Sequence, residues 1–185
     1  MSNPFANFDS ENSMFSIRGE LDGDQNAQNF SHARQFIGLM IDKEEFLLPI
    51  EVTNEIIMMH QMTFVPRAPK FIDGVINLRG TILPAINLRK MLGIPVAQFN
   101  GQCRIIIARC ENVTVGLIVD GITYVVALGQ DQLQIQSLHN KGTGSELVSM
   151  ISKRGNQVNG VLDITKIVAE TGISFHEEPN QDEAA

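Results

Sequence analysis

The sequence predicts a mainly β protein, a closed barrel or sandwich, not a parallel α/β sheet. Three observations carry this. Short apolar, β-branched runs recur from Phe36 to Leu128 with turn residues at intervals of about ten. Within the runs the apolar residues alternate: Val113, Val115, Leu117 and Val119 share one face, and Ile122, Tyr124, Val126 and Leu128 another. Finally, residues 36–59 and 105–128 superpose without a gap at an offset of 69, which sets Ile50–Met59 on Val119–Leu128 and Asp42-Lys43 on Glu111-Asn112. The low identity leaves chance similarity between hairpins as the competing reading; a true repeat means two similar small β-units, each strand, turn, strand, strand.

The elements follow in order. Residues 1–33 are polar and acidic with scattered Phe5, Phe8, Phe15 and Phe30, the composition of a disordered arm. The phenylalanines are either docking points or part of a solvated tail. Strands are expected at Phe36–Ile41, Phe46–Ile50 and Ile56–Met59, with Asp42–Glu45 as the first turn. Ile105–Cys110, Val113–Val119 and Tyr124–Leu128 repeat that plan. Residues 129–149 read as irregular, with Gly142-Thr143-Gly144 a mobile loop. Met150–Ser152 and Val158–Leu162 flank Arg154-Gly155-Asn156-Gln157, a hairpin signal. Asp163 caps a last helix from Ile164 to about Thr171, stopped by Gly172. Residues 173–185 form an acidic tail expected to be disordered.

Residues 71–93 stand at the centre of the pattern. Val75, Ile76 and Leu78 precede Arg79; Ile82, Leu83 and Ile86 follow Gly80-Thr81, so strand, tight turn, strand is expected. Pro84 cannot donate to a ladder, which predicts an edge or a bulge there. Asn87 is placed to cap a short helix bearing Leu88, Met91 and Leu92, and Gly93 to end it. Given the repeat, the stretch is expected to be the crossing between two barrels. Arg79 in an apolar run calls for a carboxylate, since a buried unpaired charge is costly. Glu55, between Val52 and Ile56-Ile57, is the candidate. Two readings stay open: the residues pair, or Glu55 faces water and Arg79 caps a barrel rim.

Charge narrows function. The net charge of −7 comes from the ends: residues 1–32 and 176–185 each carry −4, and residues 33–175 carry +1. No basic face marks a nucleic-acid binder. No apolar run is long enough to span a membrane, and no secretory signal is visible. Cys103 and Cys110 form no metal or redox motif and fit a cytoplasmic protein. His32, His60, His139 and His176 share no ligand spacing. Gly142-Thr143-Gly144-Ser145 lacks the end of a phosphate loop, and Ser145 and Ser149 lie in no nucleophile elbow. Without Trp, and with Tyr124 the only Tyr, aromatic material for a ligand pocket is scarce. A binding module is favoured over an enzyme, with no catalytic residue, cofactor or metal assigned.

Phe71 to Arg89, with its Asp73-Gly74-Val75-Ile76-Asn77-Leu78-Arg79-Gly80 core, closely resembles the signature of the chemotaxis coupling protein family CheW. Val115-Gly116-Leu117-Ile118-Val119-Asp120-Gly121-Ile122 resembles that family's second block, in the right order and at the right separation. The resemblance covers residues 34–172 as one CheW-like domain. It implies two interlocked five-stranded SH3-like barrels with short helices. It implies a non-enzymatic cytoplasmic scaffold of chemotaxis signal transduction, recruited to receptor arrays. The implied protein–protein interactions are with the chemoreceptor cytoplasmic tip and the regulatory domain of the histidine kinase CheA. An adaptor of another chemosensory pathway, such as pilus motility, is the alternative; a small-ligand sensor on a barrel is a further class. The family's sensitive glutamate–arginine pair falls on Glu55 and Arg79. The receptor helix would then lie in an apolar groove between the barrels, against Ile50, Val52, Ile56, Leu78, Gly80 and Thr81. Two departures stand out: the arm is longer than the family needs, and Asn87 replaces its usual Asp, with little change expected because Asn also caps. The absence of receiver or kinase domains points to the free-standing coupling type.

Overall fold

The structure, a computed structural model, describes residues 33–135 and 144–172. The expected N-terminal arm up to residue 32, the tail from 173, and Gly142-Thr143 therefore lie outside the described residues. In chain order the strands are β1 (Arg34–Ile41), β2 (Glu44–Pro49), β3 (Thr53–Met58), β4 (Ile72–Leu78), β5 (Thr81–Asn87), β6 (Arg104–Cys110), β7 (Val113–Val119), β8 (Gly121–Leu128), β9 (Leu133–Ile135), β10 (Val148–Arg154) and β11 (Gln157–Leu162). Among the described residues there are two α-helices, α1 (Leu88–Met91) and α2 (Ile164–Glu170).

The strands divide into two sheets that form barrel-like units. The first runs β8-β1-β2-β11-β10-β9 and the second β3-β6-β7-β5-β4. Most neighbours are antiparallel; β11 on β2 and β5 on β7 are parallel. The first two strands of each repeat stay together, but the third crosses to the other sheet. Thus β3 pairs with β6 and β8 with β1. That exchange is the physical content of the interlock.

The duplication extends past the segment where it is legible. Shifted by 69, β1, β2 and β3 fall on β6, β7 and β8; shifted by 76, β4, β5 and α1 fall on β10, β11 and α2. The two sheets then have the same neighbour order. The equivalent turns are built alike, with Asp42 (φ 57°) and Glu111 (φ 53°) both left-handed. The helix caps match as well. Asn87 accepts from the Lys90 amide, and Asp163 from the amides of Thr165 and Lys166, each satisfying donors that a helix start leaves free. Gly93 (φ 70°) and Gly172 (φ 65°) follow the two helices as expected.

Three apolar clusters result. Phe36, Leu47, Leu128 and Val161 fill the first barrel. Ile76, Leu83, Ala85, Ile105, Ile107 and Ile118 fill the second. The largest lies between them, with Leu39, Leu48, Ile106 and Leu117 at its heart and Ile167 and Val168 of α2 against it. Each such fully buried aliphatic contributes roughly 1.5–3 kcal/mol. Alternation therefore serves two cores: on β7, Val115, Leu117 and Val119 face the inter-barrel cluster while Ile118 faces the barrel interior.

Several expectations change. The stretch 71–93 is not the crossing: β4 and β5 lie side by side in the second sheet. The chain crosses at the 3-10 turn Ile50–Val52 and at Asp120, between β7 and β8. Pro84 is not on an edge strand, since β5 lies between β7 and β4. Yet β7 pairs only with Ala85–Asn87, so Pro84 is spared a donor on that side. A register shift in β4 between Ile72 and Gly74 lies beside it. The described parts of 129–149, residues 129–135 and 144–149, are less irregular than expected: β9 adds a sixth strand to the first sheet through three residues, too few to show a period. The second sheet keeps only its counterpart, the single bridge of Thr63 to Val75.

Candidate functional site

Arg79 does not sit in a strand. Leu78 pairs with Thr81, leaving Arg79-Gly80 as a two-residue hairpin turn. Both have positive φ, 52° and 90°, as a type I′ turn requires. The Gly80 amide donates to Asn77 Oδ1 at 2.9 Å and holds the turn. This corrects the turn position by one residue and removes the premise of a buried arginine: the Arg79 side chain is 79% exposed.

Arg79 nevertheless pairs with Glu55. Its Nη2 donates to Glu55 Oε2 at 2.9 Å, and the Glu55 side chain is 29% exposed. Glu55 is on β3 and Arg79 at the end of β4, the two outermost strands of the second sheet. The ion pair therefore spans the seam at which that sheet curls toward closure. Of the two sequence readings, the geometry selects pairing, but at an exposed rim.

The other predicted residues separate into two groups. Leu78, Gly80 and Thr81 share the hairpin with Arg79, and Ile56 adjoins Glu55 and is exposed. Leu78 turns inward and packs on the second barrel's interior. Ile50 and Val52 sit apart on the crossover turn, half-buried against the inter-barrel cluster. Sequence reasoning passed over Ile82 and Met58, which are 68% and 71% exposed. The available signal was alternation: Ile82 lies out of phase with Leu83 and Ala85, which fill the barrel.

The first barrel carries an equivalent seam with different chemistry. Tyr124 stands where Glu55 does, and the Arg154 guanidinium lies 5.1 Å from its ring centre. The phenol donates to Glu45 Oε2 at 2.7 Å; burial first, then Glu45, pushes its pKa up. Asn159 Nδ2 reaches the same carboxylate at 3.2 Å.

A third polar cluster ties the barrels together. Arg89, just inside α1, donates through Nε to both oxygens of Asp120 at 2.9 Å and through Nη2 to Asp42 Oδ1 at 3.2 Å. Its Nη1 caps the Pro95 carbonyl at 2.7 Å. Asp120 also accepts from the Asp42 amide. The arginine thus grips the β1–β2 turn and the second crossover at once. The hydrogen bond to Asp120 raises its pKa despite burial, so it is charged at every relevant pH. Among the described residues no group of three His, Cys, Asp or Glu is arranged to hold a metal ion.

Comparison with known proteins gives a consistent result. The sequence model of the CheW-like domain matches residues 35–172. The chemotaxis protein CheW of Thermotoga maritima is 32% identical over 136 residues, 74% of this chain and 88% of that protein. That of Helicobacter pylori is 29% identical over 155 residues, 84% of this chain and 93% of its own length. The crystal structure of the scaffolding protein TtCheW from Thermoanaerobacter tengcongensis superposes with a TM-score of 0.66 at 27% identity, covering 71% of this chain and 89% of that one.

Proposed function

The chain belongs to the CheW-like domain family, and from that premise we propose that it is a non-enzymatic cytoplasmic adaptor of chemotaxis, coupling chemoreceptor cytoplasmic tips to the regulatory domain of the histidine kinase CheA. The observation that carries the reading is the Glu55–Arg79 pair, presented at an exposed barrel seam with Ile56 and Ile82 beside its two members. An exposed ion pair contributes little to folding. Its charges and the apolar residues around it are available to a partner, where they set orientation and specificity.

On this reading an amphipathic receptor helix lays its apolar face against the junction of the barrels, near Ile50 and Val52, with Ile56, Leu78, Gly80 and Thr81 flanking it. The kinase regulatory domain meets the loops at the barrel ends. Coupling is then a difference in binding free energy between two states of the assembly, without chemistry on the adaptor. No helix among the described residues is long and apolar enough to cross a membrane.

The test is co-capture of the purified receptor tip and kinase regulatory domain by the full chain, its Arg79→Ala variant and its Glu55→Lys variant. Loss of capture in both variants, with unchanged circular dichroism, supports the reading. Full capture by a folded Arg79→Ala protein overturns it.

A further inference from the structure

We infer that the acidic, phenylalanine-bearing segment 1–32 of this chain docks on the mouth of its own first barrel, against Val125, Val158, Lys153 and Arg154. The surface is independent of the Glu55–Arg79 seam and of any partner held there.

Three observations converge on this occupant. The first is composition. At the mouth, Val125 and Val158 are among the exposed large apolar residues. The Tyr124–Arg154 contact brings β8 beside the tip of the β10–β11 hairpin, which carries Lys153, Arg154 and Val158. Neither Lys153 nor Arg154 has a carboxylate partner among the described residues. Lys153 stands opposite Val158 and shares its face, while Arg154, next along the strand, turns over the Tyr124 ring, whose phenol holds Glu45. The surface is apolar and edged by two cations and that one carboxylate.

The second is charge complementarity. Segment 1–32 carries Asp9, Glu11, Glu20, Asp22 and Asp24 against Arg18, and interleaves them with Phe5, Phe8, Phe15 and Phe30. The remainder from 33 to 175 carries +1. Acidic residues with spaced aromatics match a rim of Lys and Arg around branched aliphatics, pairing charge outside and apolar area within.

The third is reach. The described chain starts at β1, whose first residue, Arg34, pairs with Leu128 at the end of β8. β8 is an outermost strand, hydrogen-bonded on one side only. Val125 stands opposite Ile37, three residues along β1 and so about 10 Å from its start. Phe30 precedes Arg34 by four residues, about 13 Å of extended chain. Phe15, nineteen residues away, has a coil-like span of roughly 24 Å. Both fall within range of the mouth. Tethering of this kind gives an effective concentration on the order of millimolar, so a weak contact is populated.

The test uses the full chain with a nitroxide on Cys at position 13 (Ser13→Cys). Cys103 and Cys110 are buried and unpaired, which leaves the introduced thiol as the accessible one. Methyl spectra are compared before and after reduction of the spin label. The expected result is loss of the Val125 and Val158 signals, with Ile56 and Ile82, at the equivalent positions of the second barrel, retained. The loss should disappear with Lys153→Glu plus Arg154→Glu, with Phe15→Ser plus Phe30→Ser, and in high salt. Uniform loss, no loss, loss centred on Ile56 and Ile82, or loss that persists without the two phenylalanines overturns the proposal. Since no partner is present, the outcome does not depend on the adaptor reading.

Discussion

Arg79 reaches Glu55 across the open seam of the second barrel, joining the two strands that the sheet order places furthest apart. The contact is exposed and made through one guanidinium nitrogen, so it is a minor contributor to the fold. We expect Arg79→Ala to lower unfolding free energy by only about 0.2–1 kcal/mol. Urea denaturation measures this; a loss of several kcal/mol would show that the pair holds the barrel together. Small destabilisation alongside lost partner capture would separate a binding role from a folding one.

Arg89 is the opposite case. Its side chain is 14% exposed and it serves Asp120, Asp42 and the Pro95 carbonyl together. Arg89→Met keeps most of the packing but leaves two neighbouring carboxylates without their cation. The expected cost is about 2–4 kcal/mol, toward the range for breaking a buried pair. It is read as a lower urea midpoint at constant slope. A shift under about 0.5 kcal/mol, typical of surface substitutions, would contradict the clamp.

The 69-residue offset was legible because β1–β3 and β6–β8 share turn positions and alternation. Which sheet each third strand joins was not, because a strand's own pattern records a buried face and not its neighbour. The change of offset to 76 hid the equivalence of β4-β5-α1 with β10-β11-α2. Matching charges made Glu55 the candidate partner of Arg79 but left pairing and a solvent-facing Glu55 both open, and the turn was misplaced because Arg79 occupies a left-handed position that usually takes Asn, Asp or Gly. Tyr124 and Arg154 escaped notice because the equivalent seam uses a ring in place of a carboxylate.

Asn87 was expected to be interchangeable with the aspartate that the family resemblance implies there, on capping grounds alone. Its Oδ1 does cap Lys90, but its Nδ2 also donates to Asp73 Oδ2 at 2.7 Å. An aspartate can make the first contact and not the second. Asn87 is 2% exposed and the Asp73 side chain 12%, so Asn87→Asp sets two carboxylates against each other with little water between them. Lys90, which pairs with Asp73 Oδ1, offsets part of this. The expected loss is about 1–3 kcal/mol at neutral pH, shrinking in acid as one of the pair takes a proton. An unchanged urea midpoint at neutral pH would mean that capping is the whole role of the residue.

Glu51 supplies a pH dependence whose sign is fixed. Burial, the largest single effect, works against its charged form, but the hydrogen bond from Arg34 at 2.7 Å, a hydrogen bond from its own backbone and the charge of Arg34 together outweigh it and hold the carboxyl below its usual 4.5. A carboxyl lowered in the folded state adds stability above its unfolded value and loses it as pH falls through the folded one. Because both side chains are about half exposed, screening limits the contribution to about 0.2–1 kcal/mol. Glu51→Gln should therefore be less stable than the parent by that amount at neutral pH. The two unfolding curves should converge well below pH 4.5. A gap that stayed constant into acid would assign the loss to packing at the crossover turn instead of to the charge on Glu51.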